Sequence, residues 1–488
     1  MMKKKVLFVA SECTPFAKTG GLADVIGSLP PVLNQLDDIE TRVILPLYRS
    51  ILTNWRKQLV KVTSFDVSVG WRKQPTSLYI MRFDQVTYYF IENEYYFSRD
   101  DVYGYEDDGE RFVYFCEAVI SSLPYMNFQP NIIHAHDWQA SLSLLFNKVY
   151  SNTPKMKSVL TIHNLKYQGI MLRESYHDLF RLDDEHIAGM EWHGLLNCLK
   201  AGIYHADKIT TVSPTYAEEI KTPYYGEGLF KCLQDRSKDL SGILNGIDTK
   251  SYHPKTDQSI RFKYQYSSSR KRLNKLYIQH KFQMEIDPDK PMYVMITRFV
   301  EQKGLHLIER ILDQFLSEED VQFIVLGTGE YHFEHFFYQM EQQHKGKMIA
   351  YLQFNEKLAR QLYAAGDFFV MPSKFEPCGL AQLIALQYNA VPIVRETGGL
   401  KDTIVPYNEY THAGNGFSFS HYNAHDLLAV LRYSLTIFKD QDKWYPLFRN
   451  VTKSSFSWEL SRDQYVKIYD QILGVGPSNV RSDKTWQV

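Results

Sequence analysis

Cysteine is scarce in this chain: five in 488 residues, an odd number with no C-x-x-C pair. That argues against a disulfide framework and a structural zinc site, and for a reducing compartment, the cytoplasm. Long apolar runs are missing too. After Met1-Met2-Lys3-Lys4-Lys5 come only Val6-Leu7-Phe8-Val9-Ala10, too few for a signal-peptide core and far short of a membrane span, so they read as a first buried strand of a soluble protein. Net charge is nearly absent, with 55 Lys plus Arg against 56 Asp plus Glu. No global field collects nucleic acid or an anionic membrane, and any phosphate must be held locally. The P-loop and dinucleotide fingerprints, G-x-x-x-x-G-K-[ST] and G-x-G-x-x-G, do not occur at the glycine-rich turns.

What is present begins with a repeated turn. Thr19-Gly20-Gly21-Leu22-Ala23-Asp24 returns as Thr397-Gly398-Gly399-Leu400-Lys401-Asp402, each where a strand-like run gives way to a helical pattern. A glycine pair there lets backbone N–H groups and a helix start approach an anion; the plainer reading is a turn that needs glycine for geometry alone. The copies stand in different register, the first with Lys18 after an opening strand, the second after Arg395-Glu396, so they read as convergent uses of one turn offering amides to one ligand. Aromatics are plentiful, 34 of them Tyr, enough for large cores or for faces that stack on sugars.

Short apolar runs alternate with helical patterns: Val6–Ala10, Val43–Leu45, Ile132–Ala135, Val159–Ile162, Ile209–Val212, then Met292–Thr297, Phe323–Leu326, Phe368–Met371 and Val391–Val394. This is the signature of β-α units in parallel sheets, and the length calls for two or three domains. Period-two segments between about Leu59 and Phe97 read as a β-rich insertion. The domains are expected at 1–243 and 244–455, with a helix at 456–473 and a tail at 474–488. Leu22, Val25, Ile26, Leu29, Leu33 and Leu36 predict a helix after the first glycine pair, which Pro30-Pro31 should kink or interrupt.

Parallel sheets place ligands outside the carboxyl ends of their strands. There stand Lys18, a phosphate-neutralising cation beside the first glycines; Asp137-Trp138, a carboxylate and indole suited to a sugar's hydroxyls and apolar face; and His136 and His163, with no third metal ligand at a recognised spacing. In the second half Arg298 and Lys303 share a loop and can converge on one diphosphate. Glu376, held by Pro377 before a helix that begins near Leu380, is an odd placement for a structural acid.

K-T-G-G-L-A-D-V, H-A-H-D-W-Q-A, H-N-L-x-Y-Q-G, T-V-S-P-T-Y-A-E-E-I, L-N-G-I-D, R-x-x-x-Q-K-G and P-S-K-F-E-P-C-G-L-A-Q-L followed by T-G-G-L-x-D, in this order, resemble the bacterial glycogen synthase and plant starch synthase family from about Lys5 to Tyr469. The resemblance implies an α/β glycosyltransferase B-type architecture: two Rossmann-like domains with parallel sheets facing across a deep cleft, and a C-terminal helix crossing back to the first. It implies a retaining transfer of glucose from ADP-glucose to the non-reducing 4-hydroxyl of an α-1,4-glucan such as glycogen, with no cofactor or metal. Carried over, Lys18, Gly20 and Gly21 meet the distal part of the donor, and Arg298 and Lys303 hold its diphosphate. Glu376 with Cys378, Gly379 and Leu380 takes the glucose, and Thr397, Gly398, Gly399 and Leu400 the phosphates and nearby groups. Phe354 stacks on the purine, where bacterial members often carry tyrosine. Asp24, Asp137, Trp138 and Asn245 line the acceptor side, and His163 lies beside the reacting carbon.

Two cations can stabilise a departing diphosphate without a metal, which leaves Asp287-Pro288-Asp289 as a turn. Retention is open to double displacement or front-face attack, of which the latter is favoured, with Glu376 orienting sugar hydroxyls. A sugar-nucleotide epimerase, a pyridoxal-phosphate glucan phosphorylase and a non-catalytic glucan-binding protein are the alternatives. Altered sugar without glucan, a pyridoxal absorbance band, or glycogen binding without ADP release would reveal each in turn.

Overall fold

Runs of four to six apolar residues, rich in Val, Ile and Phe and bounded by turn residues, are buried on both faces only inside a parallel sheet, and both halves of the chain build one. A computed structural model describes residues 3–151 and 155–476; the rest of the expected tail, from 477, lies outside the described residues. The chain divides into two units, residues up to Asn245 together with the helix from Trp458, and Gly246–Ser457.

The first unit holds a nine-stranded sheet whose order, edge to edge, is Leu240–Gly242, Lys208–Thr211, Lys157–Ile162, Ile132–His136, Lys4–Val9, Ile39–Pro46, Val86–Glu92, Arg72–Phe83 and Val60–Val69. Pairing is parallel as far as Val86–Glu92 and antiparallel beyond it. The period-two segments expected as a β-rich insertion are three strands, added to one side of the main sheet. Their alternation marks a sheet that Val67, Val69 and Leu78 face as core while the intervening positions stay more open.

A correction concerns the first helix, which runs unbroken over Gly21–Leu33 with both prolines inside. Without N–H groups they cannot donate to the Ile26 and Gly27 carbonyls, but their own carbonyls still serve the end of the helix, and the N–H of Asn34 closes it on the Pro30 carbonyl at 3.0 Å. Leu36 lies beyond it. At the far end of the chain, helix Trp458–Leu473 docks by polar ties as well as its apolar face. The Lys4 ammonium donates to Asp470 at 2.6 Å, Tyr469 meets His134 Nδ1 at 2.8 Å, and Ser461 donates to the Leu244 carbonyl at 2.5 Å, all buried.

The second unit is an all-parallel six-stranded sheet ordered Met348–Tyr351, Gln322–Leu326, Met292–Ile296, Phe368–Met371, Val391–Arg395 and Phe417–Phe419. Amphipathic helices cover it; Leu305–Glu318, for one, buries Leu305, Ile308, Ile311, Leu312 and Phe315 at three-and-four spacing. Asp287–Asp289 is a turn, tied to helix Ser268–Lys281 by Arg272 on Asp289.

Among its parallel strands each sheet has one point where chain order reverses. In the first it lies between Lys4–Val9 and Ile132–His136, in the second between Met292–Ile296 and Phe368–Met371. The loops leaving those four strands carry Glu12, Asp137, Lys303 and Glu376. Open α/β sheets bind ligands there because the two loops diverge to opposite faces and leave a crevice.

Candidate active site

In the second unit Lys303 Nζ donates to Glu376 Oε2 at 2.6 Å across the reversal point. Both side chains are largely buried, with 13% and 9% of their surface exposed, and Ser373 Oγ adds a second hydrogen bond to the same oxygen at 3.0 Å. Two charges taken out of water need this mutual compensation, so the pair is a fixed feature of the loops. Arg298, in the loop that leads to Lys303, is exposed and makes no side-chain hydrogen bond or ion pair among the described residues. A cation left in water beside a buried, neutralised pair is available to an arriving anion.

The second glycine pair locks this loop. Gly399 N–H donates to the Glu376 and Pro377 carbonyls at 3.2 and 3.1 Å. A Cβ on Gly398, whose φ is +44°, would stand 2.0 Å from the Glu376 carbonyl oxygen, and one on Gly399 2.1 Å from that of Cys378. Thr397 is buried below them. Gly379 turns at φ +73°, and Gln382 Nε2 ties the Cys378 and Gly379 carbonyls at 3.1 and 2.9 Å, so that helix Ala381–Gln387 starts in one fixed place with Leu380 at its cap. Phe354 stands on a surface loop with 79% of its area exposed, an open platform for a flat ring.

In the first unit the first glycine pair has another partner. The buried Glu12 carboxylate accepts the N–H groups of Thr19 and of Gly20, the latter at 3.1 Å, and the Tyr103 hydroxyl at 2.8 Å; Ser11 meets the same hydroxyl at 2.6 Å. The expectation that these amides await a ligand's anion is therefore corrected: a carboxylate of the chain itself occupies them. Gly20 has extended backbone, and a Cβ there would meet nothing within 4 Å. Lys18 Nζ pairs with Asp24 Oδ1 at 2.7 Å, joining one residue expected at the donor to one expected at the acceptor, while Gly21 opens the helix. Glu12 carried no role in the sequence reading, although its place just past the first strand was a usable signal. Tyr103, far along an irregular loop, had none.

Asp137 opens helix Trp138–Val149 at φ +57° without capping it. Its Oδ1 instead accepts His163 N–H at 2.7 Å and Asn164 N–H at 3.4 Å on the neighbouring loop. A non-glycine residue held there and turned away from its own helix is backbone strain at the carboxyl end of a strand. Some accessible surface remains at Asp137, but burial of the carboxyl pushes its pKa up to about 7, the facing Glu12 adding to the rise against those two amides. His136 Nδ1 meets His163 Nε2 at 3.0 Å, and burial lowers His163 and His134 to about 3 and His136 well below its usual value. All three rings are neutral near pH 7. His136 Nε2 and Asn245 Oδ1 are buried without partners among the described residues.

Trp138 is a correction. It is 9% exposed, edge-on to Phe112 at 5.2 Å, and packs so closely under Gly169 that a Cβ there would stand 2.2 Å from the indole. The open stacking face expected for a sugar is covered.

Two parallel-sheet α/β units, each with an acid at its reversal point and one with paired cations beside it, define a glycosyltransferase of the B type. Residues 5–235 match the starch synthase catalytic domain and residues 278–446 the group 1 glycosyl transferases. The chain is 55% identical to the glycogen synthase of Oceanobacillus iheyensis over 96% of its length and 98% of that protein. It is 47% identical to that of Bacillus subtilis, over 97% and 99%. Among solved structures, the catalytic domain of starch synthase IV from Arabidopsis thaliana bound to ADP and acarbose matches with a TM-score of 0.88 at 31% identity, over 97% of this chain and all of that one. The chain belongs to the glycogen and starch synthase family of glycosyltransferases.

Proposed function

We propose that the protein transfers glucose from ADP-glucose to the non-reducing 4-hydroxyl of an α-1,4-glucan, with retention, in glycogen synthesis. The observation that carries this reading is the buried Lys303–Glu376 pair with Arg298 uncommitted in the same loop. As the bond from the glucose anomeric carbon to the diphosphate breaks, its electron pair goes to the leaving phosphate oxygen. Lys303 turns from Glu376 toward that charge and Arg298 joins it, by charge-assisted hydrogen bonds that strengthen as the charge develops. Released in part from Lys303, Glu376 orients the glucose hydroxyls, with Cys378, Gly379 and Leu380 forming the wall of that subsite. Thr397 to Leu400 hold the loop and face the phosphates. In front-face attack the acceptor oxygen bonds to the anomeric carbon on the side the phosphate leaves, and its proton passes to that phosphate.

The roles assigned to the first unit rest on the family resemblance together with its local geometry. Lys18 meets the distal part of the donor, with the turn at Gly20 and Gly21 beside it and the Thr19 and Gly20 amides staying on Glu12. Asp137 accepts acceptor hydroxyls, supported by the packed Trp138, with Asp24 and the unsatisfied Asn245 amide on the same side. His163 is neutral and hydrogen-bonds beside the reacting carbon without exchanging its proton. Phe354 stacks on adenine but has no hydroxyl to donate. Five free cysteines and the absence of any helix among the described residues long and apolar enough to cross a membrane fit a cytoplasmic enzyme.

The test is release of ADP from ADP-glucose against release of UDP from UDP-glucose, each with and without a glucan primer. Primer-dependent ADP release is expected. Release without primer, or an altered free sugar in place of chain extension, would overturn the reading.

A further inference from the structure

We infer that His306, Glu309 and His332 form a binding site for a divalent transition-metal ion of the Zn2+ kind, tying the first turns of two helices in the second unit together. His306 and Glu309 are three apart on helix Leu305–Glu318 and so share a face. His332 comes from the first turn of the next helix, Tyr331–Gln343. Glu309 uses both of its oxygens: His306 Nδ1 lies 2.8 Å from Oε2 and His332 Nε2 lies 2.6 Å from Oε1. The three ligand atoms fall within 4.8 Å of one another, close enough for small side-chain rotations to bring them onto one ion at about 2.0–2.2 Å each.

The cluster is held from behind. Phe333 is buried, and its ring packs 5.0 Å from that of His306, which limits how far the imidazole can swing. The Glu309 side chain is 18% exposed while those of His306 and His332 are 52% and 67% exposed, so an ion reaches the ligands from solvent and finds the carboxylate partly shielded. Two imidazoles and one carboxylate leave a fourth tetrahedral position for water. This donor set suits Zn2+ and its neighbours, and not Mg2+ or Ca2+, which take oxygen ligands. Helix Leu305–Glu318 begins directly after Lys303-Gly304, so the bound ion would brace the element that carries the diphosphate-binding loop.

Zn2+ alone, added to the full-length protein in isothermal titration, tests this, with Mg2+ as the control ion. One Zn2+ site is expected in the wild type and a rise in its unfolding temperature on adding Zn2+. His306→Ala, His332→Ala and Glu309→Gln should each weaken that site by at least the 10- to 100-fold that loss of an outer-shell partner costs, and abolish the rise. Because His306 and His332 are more than half exposed, the two histidine variants should unfold as the wild type does in the absence of metal. Unchanged Zn2+ affinity in the three variants, no Zn2+ binding by the wild type, or equal binding of Mg2+ would overturn the inference.

Discussion

At Thr397–Leu400 both glycines press against one stretch of backbone, 376–378, with the Glu376 and Cys378 carbonyls where side chains would begin. At Thr19–Leu22 Gly20 has open space where a Cβ would stand, and the turn is held instead by a carboxylate that reaches in from Glu12. The second turn thus fixes the loop that presents Glu376, by close approach. The first is pinned through two amides to a buried acid and leaves room above itself. Identical sequence at two strand ends therefore carries two different constraints, and only the partner loop tells them apart.

The largest effect that breaks the comparison is expected from Gly398→Ala. It combines a positive φ with a backbone clash that no rotamer relieves, and should cost about 3 kcal/mol or more, read from the midpoint of denaturant unfolding. Next comes Lys303→Ala, which removes a transition-state cation and should lower kcat/KM about a hundredfold, on the order of 3 kcal/mol. Arg298→Ala should approach it while leaving stability unchanged, because the guanidinium has no structural partner among the described residues. Rates near wild type in both would remove the diphosphate role.

Glu12→Ala should release the first turn at a cost of about 1–3 kcal/mol and raise KM for ADP-glucose more than it lowers kcat. Glu12→Gln keeps an acceptor oxygen and should recover most of that loss. Smaller still is a pH effect at Asp137, whose pKa of about 7 makes it protonated below neutrality and ionised above. If the ionised form accepts sugar hydroxyls, affinity for glucan should rise by about tenfold from pH 6 to pH 8, and Asp137→Asn should flatten the profile. The sign for stability is opposite: between the usual carboxylate range and about 7 the unfolded chain binds fewer protons, so this group's contribution falls as pH rises. Gly20→Ala stands last, within about 1 kcal/mol of wild type, and its thermal unfolding checks that.

Much of the fold was legible because central strands such as Phe323–Leu326 and Phe368–Met371 are unbroken apolar runs. The edge strands Leu240–Gly242 and Phe417–Phe419 were not, since three residues with polar or glycine neighbours leave no period to read. Lys303 and Glu376 could be picked out because they follow strand ends at glycine- and proline-marked turns. Their pairing could not, as 73 residues separate them. The Glu12–Tyr103 contact was invisible for the same reason, with no motif at Tyr103 to compensate. Trp138 was misread as a sugar platform because its cover, Phe112 and Gly169, comes from either side in the sequence and neither residue signals that it will close over an indole.

The most direct test sets the two glycines against each other in one assay, comparing kcat/KM for glucan-dependent ADP release in Gly20→Ala and Gly398→Ala. The account predicts near-wild-type activity in the first and a loss of about a hundredfold or more in the second, where the Glu376 loop is displaced. Equal losses in the two variants would contradict it, and would mean that both turns use their glycines in the same way.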